Sequence, residues 1–393
     1  MVSFNVKALY LYKFISQCLP IYAFYTILFI DRGKSVSEIA VLVALWSVFT
    51  IILEIPCGIL ADRWNRRNML AMAMVLQGFC FIIWFFSHSF LMFAIGFFFW
   101  AVSCAFVSGT EEGLIYDNLK SDGCEEIFTK VYGKAQFYAN IGILTGIVPA
   151  GVFVNFISIA NIALISAAIC FINVVFALRI REKNLYSEKI NNETTSIFET
   201  FKDASIFIKG SKVALVSLLF LVLFASLGNY LNEFDALVIN DWEFNNTWVS
   251  IFLTVRFVFT ALGDLLAPKV EKKISSIKQI FLISALSCAF LTIFAVVWNQ
   301  YVILIFGLSC LIMAITEILL VNALQSEIKE EGRATVMSFY SIGQNVVMIC
   351  FSLLYALLAG LFSLQQVYFI ISVYGIVGGI CFYLLFTVIR IKA

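Results

Sequence analysis

Twelve apolar stretches recur along this 393-residue chain, each about 20 residues long and so able to cross the ~30 Å hydrocarbon core of a bilayer. They run at roughly 8–30, 36–60, 69–87, 90–118, 131–155, 157–178, 213–238, 247–268, 279–298, 301–324, 334–361 and 366–389. Barrel strands are excluded, because such strands are about 10 residues long and alternate apolar with polar positions. In lipid a backbone must satisfy its own N–H and C=O groups, and a single segment does so only as a helix. With 62% hydrophobic and only 13% charged residues, the chain is predicted to be an all-α integral membrane protein of twelve transmembrane helices.

The basic residues set the topology. If residue 1 starts in the cytoplasm, 22 of the 26 Lys and Arg lie in or beside cytoplasmic segments. Only Arg32 and Lys34 fall outside, while Lys13 and Arg256 lie within spans. This is the positive-inside asymmetry, so both termini are expected in the cytoplasm of a multi-pass protein of the plasma (inner) membrane. The first run is long, contains Lys13 and lacks a small-residue cleavage site, so it reads as a span and not as a cleaved signal.

One hydrophilic interruption, residues 179–212, carries seven Lys or Arg and divides the spans six and six. The expected division is an N-terminal bundle over 1–180, a central cytoplasmic loop over 181–212 and a C-terminal bundle over 213–393. Within the loop, Ile197, Phe198, Phe201 and Ile208 share one helical face, as in an amphipathic helix on the membrane surface or a plain linker helix. Such a layout suits two repeated halves. The basic turn after the second span, Gly58…Asp62-Arg63…Arg66-Arg67, has an eroded counterpart after the eighth, Gly263-Asp264…Lys269…Lys272-Lys273. The four prolines, at 20, 56, 149 and 268, lie within or at the ends of spans and are expected to kink them.

Chemistry-bearing residues are few. Nine of the ten Cys lie in spans, none forms a Cys-x-x-Cys pair, and the single His88 sits in an outer turn, so no metal or cofactor is expected. Ionisable groups in hydrocarbon are costly and face a bundle interior or a wet cavity. They fall in the first, second and fourth spans of each half: Lys13; Glu54; Glu111 and Glu112; then Glu233 and Asp235; Arg256; and Glu317. At ~1.5 Å per residue, Lys13, Glu54, Glu111 and Glu317 lie roughly 24–31 Å from the outer helix ends, Arg256 about 13 Å and Glu233 about 7 Å. Two clusters are therefore expected, an inner one around Lys13 and an outer one pairing Arg256 with Glu233. Glu112, Asp235 and Asp264, near span ends, read as solvated or structural. Ser226, Asn229 and Glu233 share a face at i, i+3, i+7; Thr316 and Asn322 extend the polar side of Glu317. Gln17, Tyr22, Tyr25, Trp46 and Trp100 are candidate ligand contacts. The proton and solute path thus comprises Lys13, Gln17, Glu54, Glu111, Asn229, Glu233, Arg256, Glu317 and Asn322.

Gly58-x-x-x-Asp62-Arg63-x-x-Arg66-Arg67 between the second and third spans resembles the signature loop of the major facilitator superfamily. Glu54-Ile-Pro56-Cys-Gly58, Ser108-Gly-Thr-Glu111-Glu-Gly-Leu-Ile-Tyr116-Asp117 and Arg333-Ala-Thr-Val-Met-Ser338 resemble a bacterial, drug-exporter-like branch. The family's usual glycine is Asn65 here, a residue that tolerates a left-handed turn. Gly142, Gly146, Pro149 and Gly151 loosely resemble a glycine-proline pattern of some antiporters, and close helix packing accounts for them equally well. The resemblance implies the family's fold, two pseudo-symmetric six-helix bundles that rock about a central site. It also implies a cytoplasmic latch: Asp62 at the start of the eleventh span near Arg333, and Arg63 or Arg66 on Asp117.

The expected function is secondary active transport by alternating access, with proton-coupled efflux of a small amphipathic compound or drug as the leading reading. Uptake of a small metabolite by symport or facilitation is the alternative, and a membrane receptor the remote one. No enzyme activity is expected, because no catalytic cluster is present at a membrane face. The expected partners are a small-molecule solute, protons and the lipid bilayer. No nucleic acid is expected, and the chain is expected to act as a monomer.

Overall fold

The computed structural model describes residues 6–108, 110–124, 127–182, 212–274, 276–326, 333–358 and 361–391. Among these, twelve helical segments are long and apolar enough to span a membrane, and the described structure is all helical. In chain order the helices are α1 (Val6–Gln17), α2 (Tyr25–Asp31), α3 (Val36–Arg63), α4 (Arg66–Phe86), α5 (Phe90–Val107), α6 (Thr110–Ser121), α7 (Phe128–Phe153) and α8 (Ile159–Leu178). They continue with α9 (Lys212–Asp241), α10 (Asn246–Glu271), α11 (Ile277–Val297), α12 (Ile303–Ser326), α13 (Arg333–Leu358) and α14 (Leu364–Ile391). The expected amphipathic segment at 196–208 lies outside the described residues.

Two predicted spans are broken, and each break has a local cause. The first divides into α1, a 3₁₀ turn over Pro20–Ala23, and α2. Pro20 brings no N–H to the helical ladder and clashes with the turn before it. The other three prolines are absorbed inside α3, α7 and α10. The fourth span divides into α5 and α6 around Ser108, whose backbone leaves the helical region at φ −57°, ψ 125°. Glu111 is therefore the second residue of a new helix, where exposed N–H groups favour an anion.

The basic turn is shorter than expected. Helix α3 runs on to Arg63, so only Trp64 and Asn65 connect it to α4. Asn65 does not take the left-handed turn suggested by its place in the signature. Its backbone is extended (φ −66°, ψ 119°), and its side chain accepts from Asn68 N as the N-cap of α4. That role satisfies an otherwise orphaned amide. Glu182, just beyond α8, accepts from the backbone N–H of Arg66 at 2.9 Å and of Arg67 at 3.1 Å. Its carboxylate completes the capping of the same helix end.

The chain divides into two compact units, Met1–Glu193 with Glu243–Thr254, and Thr194–Trp242 with Val255–Ala393. Each repeats one packing scheme internally. In the first, α1 lies on α7 and α8, and α4 lies on α5 and α8. In the second, α9 lies on α13 and α14, and α11 lies on α12 and α14. These pairings correspond in chain order, in keeping with the repeat suggested by the echoed basic turn. Small residues permit the closest approach. A Cβ at Gly142 would collide with the Phe14 carbonyl oxygen, and one at Gly146 would lie 2.8 Å from Leu19 N, so α7 packs backbone to backbone on the end of α1. An aromatic cluster fills the other end of this unit, with Trp84 fully buried among Tyr25, Phe29, Phe97 and Trp100.

Candidate functional site

In the first unit Lys13, the centre of the expected inner cluster, pairs with Glu111. Its Nζ donates to Glu111 Oε2 at 2.7 Å, and both side chains are buried. The pair joins α1 to the N-terminal turn of α6, so Glu111 receives a full charge and the partial positive charge of a helix end. Glu54 takes no part in this pair: on α3, its Oε2 is buried without a hydrogen-bond partner among the described residues. Gln17 closes α1 and packs against Gly142. Tyr22 and Trp100 stack at 5.5 Å, Trp46 tilts against Trp100 at 6.3 Å, and Gln77 Nε2 donates to the Tyr22 hydroxyl at 2.6 Å.

The second unit holds a cavity of about 500 Å³. Its wall presents three carboxamides (Asn229, Asn232, Asn322), three ionisable groups (Arg256, Asp264, Glu317) and apolar faces that include Phe257 and Met313. Helices α9, α10 and α12 supply these residues at helical spacing. Ala225, Gly228, Asn229 and Asn232 mark one face of α9 at i, i+3, i+4, i+7.

The predicted outer pair is corrected in its partner. Arg256 Nη1 bonds Asp235 Oδ2, not Glu233. The reason is rotational: Asp235 follows Gly228 by seven residues and so shares its face of α9, whereas Glu233 lies roughly 200° around the helix from Asp235. Arg256 Nη2 donates to the Gly228 carbonyl at 2.8 Å along that face, and its guanidinium lies over the Phe306 ring at 5.9 Å. Asp235, which sequence position alone suggested to be solvated or structural, is completely buried. Its second oxygen accepts from the Tyr368 hydroxyl at 2.6 Å. The result is a closed Arg256–Asp235–Tyr368 network at the edge of the cavity.

The other two charges in the wall differ. Glu317 accepts from the Tyr340 hydroxyl at 2.9 Å, and that hydroxyl accepts from Gln344 Nε2 at 2.7 Å. Neither Glu317 nor Asp264 makes an ion pair among the described residues, although both face the cavity. Thr316, expected beside Glu317 on the polar side, is buried, and its hydroxyl donates to the Ile312 carbonyl.

The side chains of Asp62, Arg63, Asp117 and Arg333 lie outside the described residues, and with them the proposed latch. Gly58 falls within α3. Arg66 is buried, and its guanidinium occupies the place a Cβ on Gly113 would need, one helical turn before Asp117. Arg67 meets Glu182 through its backbone. Sequence reasoning missed Glu182, Asn232, Tyr340 and Tyr368. Only Asn232 carried a visible signal, its i+3 spacing from Asn229.

No curated protein matches the chain. Among solved structures, the nucleoside transporter NupG is 16% identical with a TM-score of 0.78, covering 97% of this chain and 99% of that one. The D-xylose-proton symporter is 13% identical, with a TM-score of 0.73 and coverage of 96% and 95%. A bacterial homolog of the human lysosomal transporter Spinster has the same identity, TM-score and coverage. These likenesses concern the fold. The sequence profile of the Major Facilitator Superfamily matches residues 14–328, and the chain belongs to that superfamily of transporters.

Proposed function

We propose that this protein carries a small, polar, hydrogen-bonding solute across the plasma membrane in symport with protons, by alternating access. The observation that carries this reading is the second-unit cavity. There, Glu317 and Asp264 face the same chamber as three carboxamides, while the nearby arginine is already committed to Asp235. Carboxamides donate and accept, so they suit hydroxyl- and ring-nitrogen-rich solutes of the nucleoside or sugar kind. Two carboxylates that pair with no cation among the described residues can take up and release a proton on exposure to the two sides. With Arg256 neutralised by Asp235, the wall is net acidic and selects against anions. A nucleoside transporter and a D-xylose-proton symporter share the fold, which adds support for a polar solute and for proton symport.

Lys13 and Glu111 would form the matching charged element of the first unit. Asp62, Arg63, Arg66, Asp117 and Arg333 would gate the cytoplasmic side without touching solute. A second reading, proton-driven export of an amphipathic compound, is favoured by the exporter-like segments at 54–58 and 108–117. Proteoliposomes given radiolabelled nucleosides or sugars on the outside, under an imposed pH gradient, test the first reading. Accumulation that follows the inward proton gradient and falls in Glu317→Gln supports it; flux indifferent to the gradient refutes the coupling. Accumulation of lipophilic dyes only in inside-out vesicles, with no polar-solute flux, would favour export.

A further inference from the structure

Away from these charged sites, the first unit carries a groove of about 370 Å³ lined by Lys7, Tyr10, Leu11, Phe14, Tyr138 and Ile141. It lies where α1 packs beside α7, and both helices enter the membrane from the same face. Its chemistry is layered with depth. Lys7 stands one residue into the first span, and Lys134 three residues into the fifth. One turn deeper come Tyr10 and Tyr138, whose rings stack at 5.1 Å, with the Lys134 ammonium 5.3 Å from the Tyr10 ring centre. Deeper again, the walls are Leu11, Phe14 and Ile141, and no acidic side chain lines the groove among the described residues. Leu11 is 41% and the neighbouring Phe137 58% exposed, apolar surface that belongs in lipid and not in water.

We propose that this groove seats one anionic phospholipid. The cation, aromatic and hydrocarbon layers follow the order of a phospholipid itself. The phosphate lies between the Lys7 and Lys134 ammonium groups, the ester region meets the paired tyrosines as in an interfacial aromatic belt, and one acyl chain runs along Leu11, Phe14 and Ile141. A zwitterionic lipid fits the same hydrocarbon wall but gains nothing net from two lysines. Each lysine near a membrane surface contributes about 1 kcal/mol toward an anionic headgroup, about fivefold in affinity. The site therefore prefers phosphatidylglycerol over phosphatidylcholine by roughly 30-fold.

Native mass spectrometry of the full-length protein in detergent, titrated with each lipid, reads this directly. The expected result is that preference in the wild type, its loss in Lys7→Gln/Lys134→Gln, and its retention in Lys278→Gln, a control outside the groove. Equal binding of the two lipids by the wild type, or undiminished phosphatidylglycerol binding by the double variant, overturns the proposal. So does displacement of the lipid by soluble glycerol phosphate, which would mark a site for free phosphate. Should the double variant not fold, the wild type alone decides: its preference must collapse in roughly 1 M salt, where the screening length is about 3 Å, and persistence refutes a headgroup held by charge.

Discussion

Replacing Asp235 by alanine removes the partner of a buried cation and is the sharpest test of the second-unit network. Arg256 would keep the Gly228 carbonyl at 2.8 Å and the Phe306 ring at 5.9 Å, neither of which neutralises it. Deleting one member of a buried pair costs about 3–5 kcal/mol. An unpaired arginine at the centre of a membrane helix costs about 2.5–3.5 kcal/mol on insertion scales. The ranges meet near ~3 kcal/mol, and 1 kcal/mol moves Tm by about 2–4 °C in a unit of 150–250 residues, so a fall of roughly 6–12 °C is expected. Tyr368 loses its acceptor in the same variant, which pushes the fall toward the upper end. The double variant Arg256→Met/Asp235→Leu removes both charges and keeps the volume filled, so it should regain most of that loss. Tryptophan-fluorescence unfolding of purified wild type, Arg256→Met, Asp235→Leu and the double variant, at fixed detergent and lipid, gives the four corners of the cycle. Single changes that add within about 0.5 kcal/mol would refute the pairing. The equivalent cycle between Arg256 and Glu233 should show that additivity.

Glu111→Gln leaves Lys13 with a neutral acceptor in place of its counter-charge and should depress solute flux more than expression; unchanged pH-driven flux in proteoliposomes would remove the pair from the transport cycle. Glu182→Ala uncovers two amides at the start of α4 and should cost about 1 kcal/mol, visible as faster hydrogen exchange at Arg66 and Arg67 with the rest of α4 unaffected. Gly142→Ala sets a Cβ against the Phe14 carbonyl and should lower Tm by an amount equivalent to about 1–3 kcal/mol, whereas Gly133→Ala, where nothing stands within 4 Å, should not.

Hydrophobicity made the spans legible, because the length that crosses a bilayer and the backbone's need for internal hydrogen bonds leave one solution. A carboxylate near Lys13 was legible for a related reason, since opposite charges at similar depth in the same half have few other ways to be neutralised; that Glu111 and not Glu54 supplies it was not. The choice between Glu233 and Asp235 was not. They differ by only about 3 Å in rise, well within an arginine's reach, and the rotation of α9 that decides between them is set by how α13 and α14 pack on it. Tyr340 and Tyr368 were hidden because a single hydroxyl on an apolar helix leaves no periodic trace. Glu182 was hidden because its partners are backbone amides, which no side-chain pattern reports.

The break between α5 and α6 makes the two partners of the first-unit ion pair unequal under mutation. Glu111 would still face the amide-rich start of its own helix if Lys13 were lost. Lys13, in the middle of α1, has no such fallback if Glu111 were lost. Over a long history of neutral drift the lysine is thus the partner free to change first, and a change at the glutamate should appear only in chains that have already given up the lysine.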